Sequence, residues 1–161
     1  MNKIKNCHLR TTKQFGLAIN LKEALNKSLN AIKKISDTDQ TIWRTTEWNI
    51  CHHLACNLQE QFLELDVDVE LEKDDKKRPD IVVHKRGSHK INLIIFQVKK
   101  NPSFRDILDD MNKINGTFFR EPYLYNFGIF ICIGKLPTKL PDFDTTKIAI
   151  IEIDGWKIIP A

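Results

Sequence analysis

Apolar residues recur along this chain in two periods, and the switches between them mark out its elements. Over residues 17–35, Leu17, Leu21, Leu25, Leu29 and Ile32 come at helical spacing with Lys and Asn between them, which predicts an amphipathic helix closed by Asp37-Thr38-Asp39. A second helix is expected from an N-cap at Thr45 or Thr46 to about Phe62, with Cys51, Leu54, Ala55, Leu58 and Phe62 on one stripe. The period then drops to two. Leu65, Val67, Val69 and Leu71 point one way and Asp66, Asp68, Glu70 and Glu72 the other, as in a strand with one wet face towards the edge of an antiparallel sheet.

The charged stretch 73–78 reads as a loop, residues 81–84 as a strand and Arg86-Gly87-Ser88 as a turn. Residues 91–98 form a third strand, apolar on both faces and so expected in the middle of a sheet covered on both sides. Asn101-Pro102 predicts a helix with Pro at its first position; Phe104, Ile107, Leu108, Met111 and Ile114 are its buried stripe, and Asn115-Gly116 its end. Two apolar strands follow at 127–133 and 147–153. The order α-α-β-β-β-α-β-β predicts an α/β (α+β) fold, a central sheet with helices on both faces. Residues 1–15 read as a polar arm. No repeat, low-complexity tract or Gly/Ser linker divides the chain, so 1–161 reads as one domain.

Composition narrows the class. The chain has 161 residues, 42% hydrophobic and 29% charged, with 6 Gly and 6 Pro, which excludes collagen-like, coiled-coil and disordered proteins. The apolar run 129–133 is far too short to span a membrane, and Lys3 and Lys5 are followed by no secretory signal. Cys7, Cys51, Cys56 and Cys132 are scattered without a CxxC pair, so a reducing, cytoplasmic setting is expected. A net charge of +4, from 25 basic against 21 acidic residues, is compatible with a polyanionic partner.

The informative segment is Arg78-Pro79-Asp80, followed after sixteen residues by Gln97-Val98-Lys99. Gln97 and Lys99 are two apart on a strand and share a face that otherwise carries Ile91, Leu93 and Ile95. Buried polar groups cost about 1–3 kcal/mol unless paired, so something must satisfy them. Asp80 is the expected partner. If Arg86 faces His89 across a two-residue turn, Asp80 lies opposite Ile95 and diagonal to Gln97, on the same face. Glu47, one turn before Cys51 on the apolar stripe of its helix, is the fourth candidate; a favourable place for an acid in the first turn explains it equally well.

Pro79-Asp80 … Gln97-Val98-Lys99 in this element order resembles the PD-(D/E)XK nuclease superfamily, the restriction-endonuclease-like fold. A longer likeness, over roughly residues 22–134, is to small, mostly uncharacterised bacterial proteins assigned there; residues 49–55, 67–70, 78–84, 86–87 and 92–100 carry it. The resemblance implies that Asp80 is the metal-binding aspartate, that Gln97 stands at the Asp/Glu position, that Lys99 is the motif lysine and that Glu47 is the acid of the first core helix. Asp80, Gln97, the Val98 carbonyl and Glu47 would then hold Mg²⁺ or Mn²⁺ through oxygen, and Lys99 would orient the water attacking a phosphodiester. Gln97 departs from the pattern by removing one negative charge.

Lys77, Arg78, Lys85, Arg86 and Lys100 are the expected nucleic-acid contacts, with DNA the expected substrate. With no separate reader domain, selectivity is left to a homodimer, a partner protein or DNA shape. A catalytically inactive member that binds nucleic acid or a protein is the alternative. The other candidates read blandly. Cys51-His52-His53…Cys56 lacks zinc spacing, His84 and His89 flank a turn, the acidic row is a wet face, and Trp43, Trp48 and Trp156 are expected as core and cap residues.

Overall fold

The computed structural model describes residues 19–71, 77–88, 91–153 and 157–159. The polar arm, Leu17, Glu72, His89 and Trp156 lie outside them. Helix α1 spans Leu21–Thr38 behind an Asn20 N-cap, and a 3₁₀ turn, Gln40–Arg44, leads to α2, Glu47–Gln61. Thr46 is the N-cap of α2, accepting from the Asn49 N–H at 3.2 Å. The strands are β1 Asp66–Val69, β2 Ile81–His84, β3 Asn92–Lys100, β4 Phe127–Ile133, β5 Ile148–Glu152 and β6 Lys157–Ile159. Helix α3, Phe104–Lys113, crosses between β3 and β4 and runs on into a π turn, Ile114–Phe118. The expected stop at Asn115-Gly116 is thus passed by one wider turn. The 3₁₀ turn and β6 had no clear signal in the sequence pattern.

The fold is mixed α+β. The strands pair in chain order, with β1, β2 and β3 antiparallel, β3, β4 and β5 parallel, and β6 antiparallel to β5. Parallel pairing of β3 with β4 demands a crossover, which α3 supplies. Helices α1 and α2 cover one face, where Ile32, Ile50, Leu54 and Leu58 meet Ile81, Phe96, Ile129 and Ile131. Helix α3 covers the other, where Ile107, Met111 and Phe118 meet Val82, Ile95, Phe130 and Ile150. This is why β3 is apolar on both faces. Among the described residues no helix is long and apolar enough to cross a membrane.

Three local expectations are corrected. Pro102 precedes α3 rather than opening it: Ser103 is the N-cap, in a capping box with Asp106. On α3, Phe104 is exposed, while Asp110 joins Ile107 and Met111 in the buried stripe. Strand β1 stops at Val69 because Glu70 takes a left-handed conformation (φ 49°), and this sends Leu71 to the α3 core instead of continuing the inward row.

The ends of β3 and β4 lock together beside the site. Asn101 has φ 46° and donates its N–H to the Ile133 carbonyl at 2.8 Å, and Gly134 follows at φ 103°. A Cβ on Gly134 would stand 2.0 Å from Asn101 Oδ1. Gly134→Ala is therefore expected to cost about 2 kcal/mol or more, through strain and displacement of Asn101, read as a lower denaturant midpoint.

Candidate active site

Strand β3 outruns β2. On one side it pairs with β4 as far as Lys100, but on the other the β2 ladder ends with Ile81 opposite Phe96. The chain before Ile81 holds a buried Pro79, which has no N–H to offer a ladder. Two N–H groups of β3 would be left bare, and two carboxylates take them. Asp80 Oδ2 accepts from the Val98 N–H at 2.7 Å, and Glu47 Oε1 accepts from the Lys100 N–H at 2.8 Å. Along a strand a residue's N–H and C=O leave on the same side, so the Val98 carbonyl is presented to the same notch. Neither Asp80 Oδ1 nor Glu47 Oε2 has a hydrogen-bond partner among the described residues.

The register differs from the expected one. Lys85 pairs with Ile91 across the turn, one residue off the two-residue hairpin, and a bulge between Val83 and His84 adds a second offset. Offsets of one and one leave the parity unchanged. Asp80 thus comes directly opposite Gln97 rather than Ile95, still on the face of Val82, Ile95, Gln97 and Lys99. Its backbone carbonyl accepts from Glu70 N–H at 3.0 Å on the β1 side, which makes Asp80 and Gln97 a pair without mutual ladder bonds, the closer kind for side chains.

The electrostatics follow from this crowding. Burial pushes Asp80 up from 3.8 to about 6, against the Val98 hydrogen bond and Lys99; Asp110 and Glu47 push it further up. Burial disfavours the Lys99 ammonium, but Asp110, Asp80, Glu47 and Asp106 outweigh it and hold Lys99 above its usual value. Lys99 is therefore a cation at neutral pH, and among the described residues it makes no ion pair. Cys51, one turn beyond Glu47, has its thiol pushed up to about 12 by burial and by Asp80, Glu47 and Glu70. Such a thiol is inert. Exposed Cys56 is expected to react with an alkylating reagent at pH 8 before Cys51, which reacts only on unfolding, and peptide mass spectrometry would read the order.

The basic residues are divided. Lys77 and Arg78 lie exposed at the site end, with the Lys77 ammonium on Thr117 Oγ1 after α3. The Lys100 ammonium turns to the Thr45 carbonyl (2.6 Å) and the Arg44 carbonyl (3.3 Å). Lys85 and Arg86 sit at the far end of β2. There Arg86 pairs with Asp66 and Asp68, and His84 Nε2 meets Asp68 Oδ2 at 2.7 Å. The acidic row expected to be a wet face is thus partly engaged in ion pairs, and Arg86 holds Asp68 down at about 2.

Trp48 is neither core nor cap. It is 57% exposed, next to Glu47, with its ring against His52 at a centroid distance of 4.0 Å. Trp43 is half-buried and donates its Nε1–H to Ser36 Oγ at 3.0 Å. The residue that pattern reading missed is Asp110, 2% exposed. Its signal was its place three residues after Ile107 on an otherwise apolar stripe. Among the described residues no three His, Cys, Asp or Glu side chains gather as a metal would need. No family model, curated protein or solved structure matches the chain.

Proposed function

We propose that this chain is a metal-dependent nuclease of the PD-(D/E)XK kind, on a restriction-endonuclease-like fold, hydrolysing phosphodiester bonds with DNA as the first substrate to try. One observation carries the reading. Asp80 and Glu47 converge on the overhanging end of β3 on either side of Lys99, and among the described residues Lys99 makes no ion pair. A merely structural lysine in this position would be expected to close on Asp80, whereas here Asp80 spends one oxygen on the backbone.

The donor set suits a hard cation. Asp80 Oδ1, Glu47 Oε2, the Val98 carbonyl and the Gln97 amide offer oxygen, the ligand type of Mg²⁺ and Mn²⁺. A divalent cation held by these residues would supply positive charge to the phosphate and would favour loss of a proton from the attacking water. Lys99, kept protonated by its acidic neighbours, orients the attacking water and faces the charge that develops on the phosphate. Lys77 and Arg78 lie where the strand of a nucleic acid would pass. With two carboxylates at the notch among the described residues, the alternative of a domain that binds nucleic acid without cutting it retains a specific observation in its favour.

The test is incubation of the purified protein with plasmid and single-stranded DNA and Mg²⁺ or Mn²⁺, beside Asp80→Asn and Lys99→Ala. Metal-dependent cleavage lost in both variants supports the nuclease. Cleavage that survives both sinks the site. DNA retained but never cut selects the binding-only alternative.

A further inference from the structure

Two buried side-chain atoms stand without any hydrogen-bond partner among the described residues, Gln97 Nε2 and Asp110 Oδ2. One is a donor and the other an acceptor. Gln97 is 1% exposed and Asp110 2%, so water does not freely satisfy either. Each such orphan costs stability, and a fold that keeps two of opposite kind calls for an explanation.

The topology places them at one level. Gln97 lies on the β3 face that α3 covers, and α3 returns antiparallel along β3. From Phe104 to Asp110 the helix descends about 9 Å. From Lys100 back to Gln97 the strand descends about 10 Å. Asp110 is on the buried stripe of α3, with Ile107 and Met111 beside it. Its charge is also felt at the site: it is the foremost of the acids acting on Lys99 and, among acids, on Asp80. Its other oxygen, Oδ1, accepts from the Lys113 ammonium at 3.1 Å, so the carboxylate is anchored on one side and free on the other.

We propose that Asp110 is a positioning residue for Gln97: the two are not hydrogen-bonded as they stand, and a side-chain rotation brings Gln97 Nε2 to the free Oδ2 and thereby turns the amide oxygen of Gln97 to the notch beside Asp80. The contact has a chemical consequence. A carboxylate accepting from the amide nitrogen draws electron density to the amide oxygen and fixes which end of the amide faces the site. Part of the negative charge missing at Gln97 is so supplied from α3. For what Gln97 holds, the inference rests on the metal-dependent nuclease reading; for the contact itself it does not.

Donor counting gives the test. Asp110→Asn has one oxygen to meet two donors, Lys113 and Gln97, and must fail one of them. Gln97→Glu alone sets two carboxylates against each other. In the double variant the amide of Asp110→Asn gives its oxygen to Lys113 and its N–H to the carboxylate of Gln97→Glu, so every group is met. Mn²⁺ affinity by calorimetry and thermal midpoints would be measured for the wild type, both single variants and the pair. Asp110→Asn is expected to bind Mn²⁺ about 10–100-fold more weakly. Gln97→Glu is expected to melt lowest, and the pair to recover both the midpoint and Mn²⁺ binding.

Wild-type affinity in Asp110→Asn, or a Gln97→Glu variant that melts and binds as well as the pair, overturns the proposal. A third readout needs no metal. The side-chain amide protons of Gln97, assigned by their disappearance in Gln97→Glu, should move on Asp110→Asn substitution. An unmoved pair of resonances also overturns the proposal. If the wild type binds no Mn²⁺ while the resonances move and the double variant recovers its midpoint, the nuclease reading fails and the Asp110–Gln97 contact stands.

Discussion

Asp80→Asn is expected to abolish metal-dependent cleavage, and Lys99→Ala to reduce it by about 100-fold or more, the scale for removing one preorganised group that faces developing charge. The two losses have different origins. Asp80→Asn keeps an oxygen for the Val98 N–H and so preserves the end of β3, but it removes one of the two negative charges at the notch. Cation binding should fall with the rate, and raising Mn²⁺ should recover part of the activity. Lys99→Ala leaves the oxygen donors in place, so Mn²⁺ binding should survive while the rate falls. Lys99→Arg keeps the charge in a planar fork with different reach and should rescue only partially. A Mn²⁺ titration of each variant beside its cleavage rate separates the two roles. Equal Mn²⁺ affinity in wild type and Asp80→Asn would remove Asp80 from the cation site.

The same substitution is expected to stabilise the metal-free protein. Burial raises Asp80 from 3.8 to about 6, so the folded state keeps this proton to higher pH than the unfolded state does. The group's contribution is fully present below pH 3.8 and is lost as pH rises through about 6. Wild-type protein at pH 7.5 therefore bears the cost of a buried carboxylate, about 2–3 kcal/mol, which the amide does not carry. Asp80→Asn should match the wild type in thermal midpoint near pH 4 and exceed it above pH 6. Added Mn²⁺ should close the gap by stabilising the wild type alone. A midpoint difference independent of pH would show that Asp80 is not the titrating group. A functional group that costs stability is the usual trade at a site built for chemistry.

Much of the fold was legible in the sequence because it depends on local pattern. The helical period of α2, the alternation of β1 and the doubly apolar β3 each follow from which face of one element must be buried, and Thr46 caps α2 through a bond three residues long. The sharing of a face by Asp80, Gln97 and Lys99 was legible too, since parity along a strand survives a register error of two. What the pattern could not supply were properties set by contacts across the chain. That Asp80 and Glu47 cap two N–H groups on the overhang of β3 depends on where β2 ends and how α2 docks, across 18 and 53 residues of sequence. Trp48 is exposed on α2, which its hydrophobicity alone does not reveal. Arg86 is drawn to Asp66 and Asp68, away from the site, because the hairpin turn and the Asp80 end lie at opposite ends of β2. Asp110 is buried because it shares the side of α3 that packs Ile107 and Met111 on the sheet, and a carboxylate on a helix reads as a surface charge until the strand beneath it is known. Sequence alone determined which residue types stand on which face of each element, since that is a matter of period. Only the tertiary structure decided which of those faces meet, because long-range contacts are fixed by how whole elements pack and not by their neighbours in the chain.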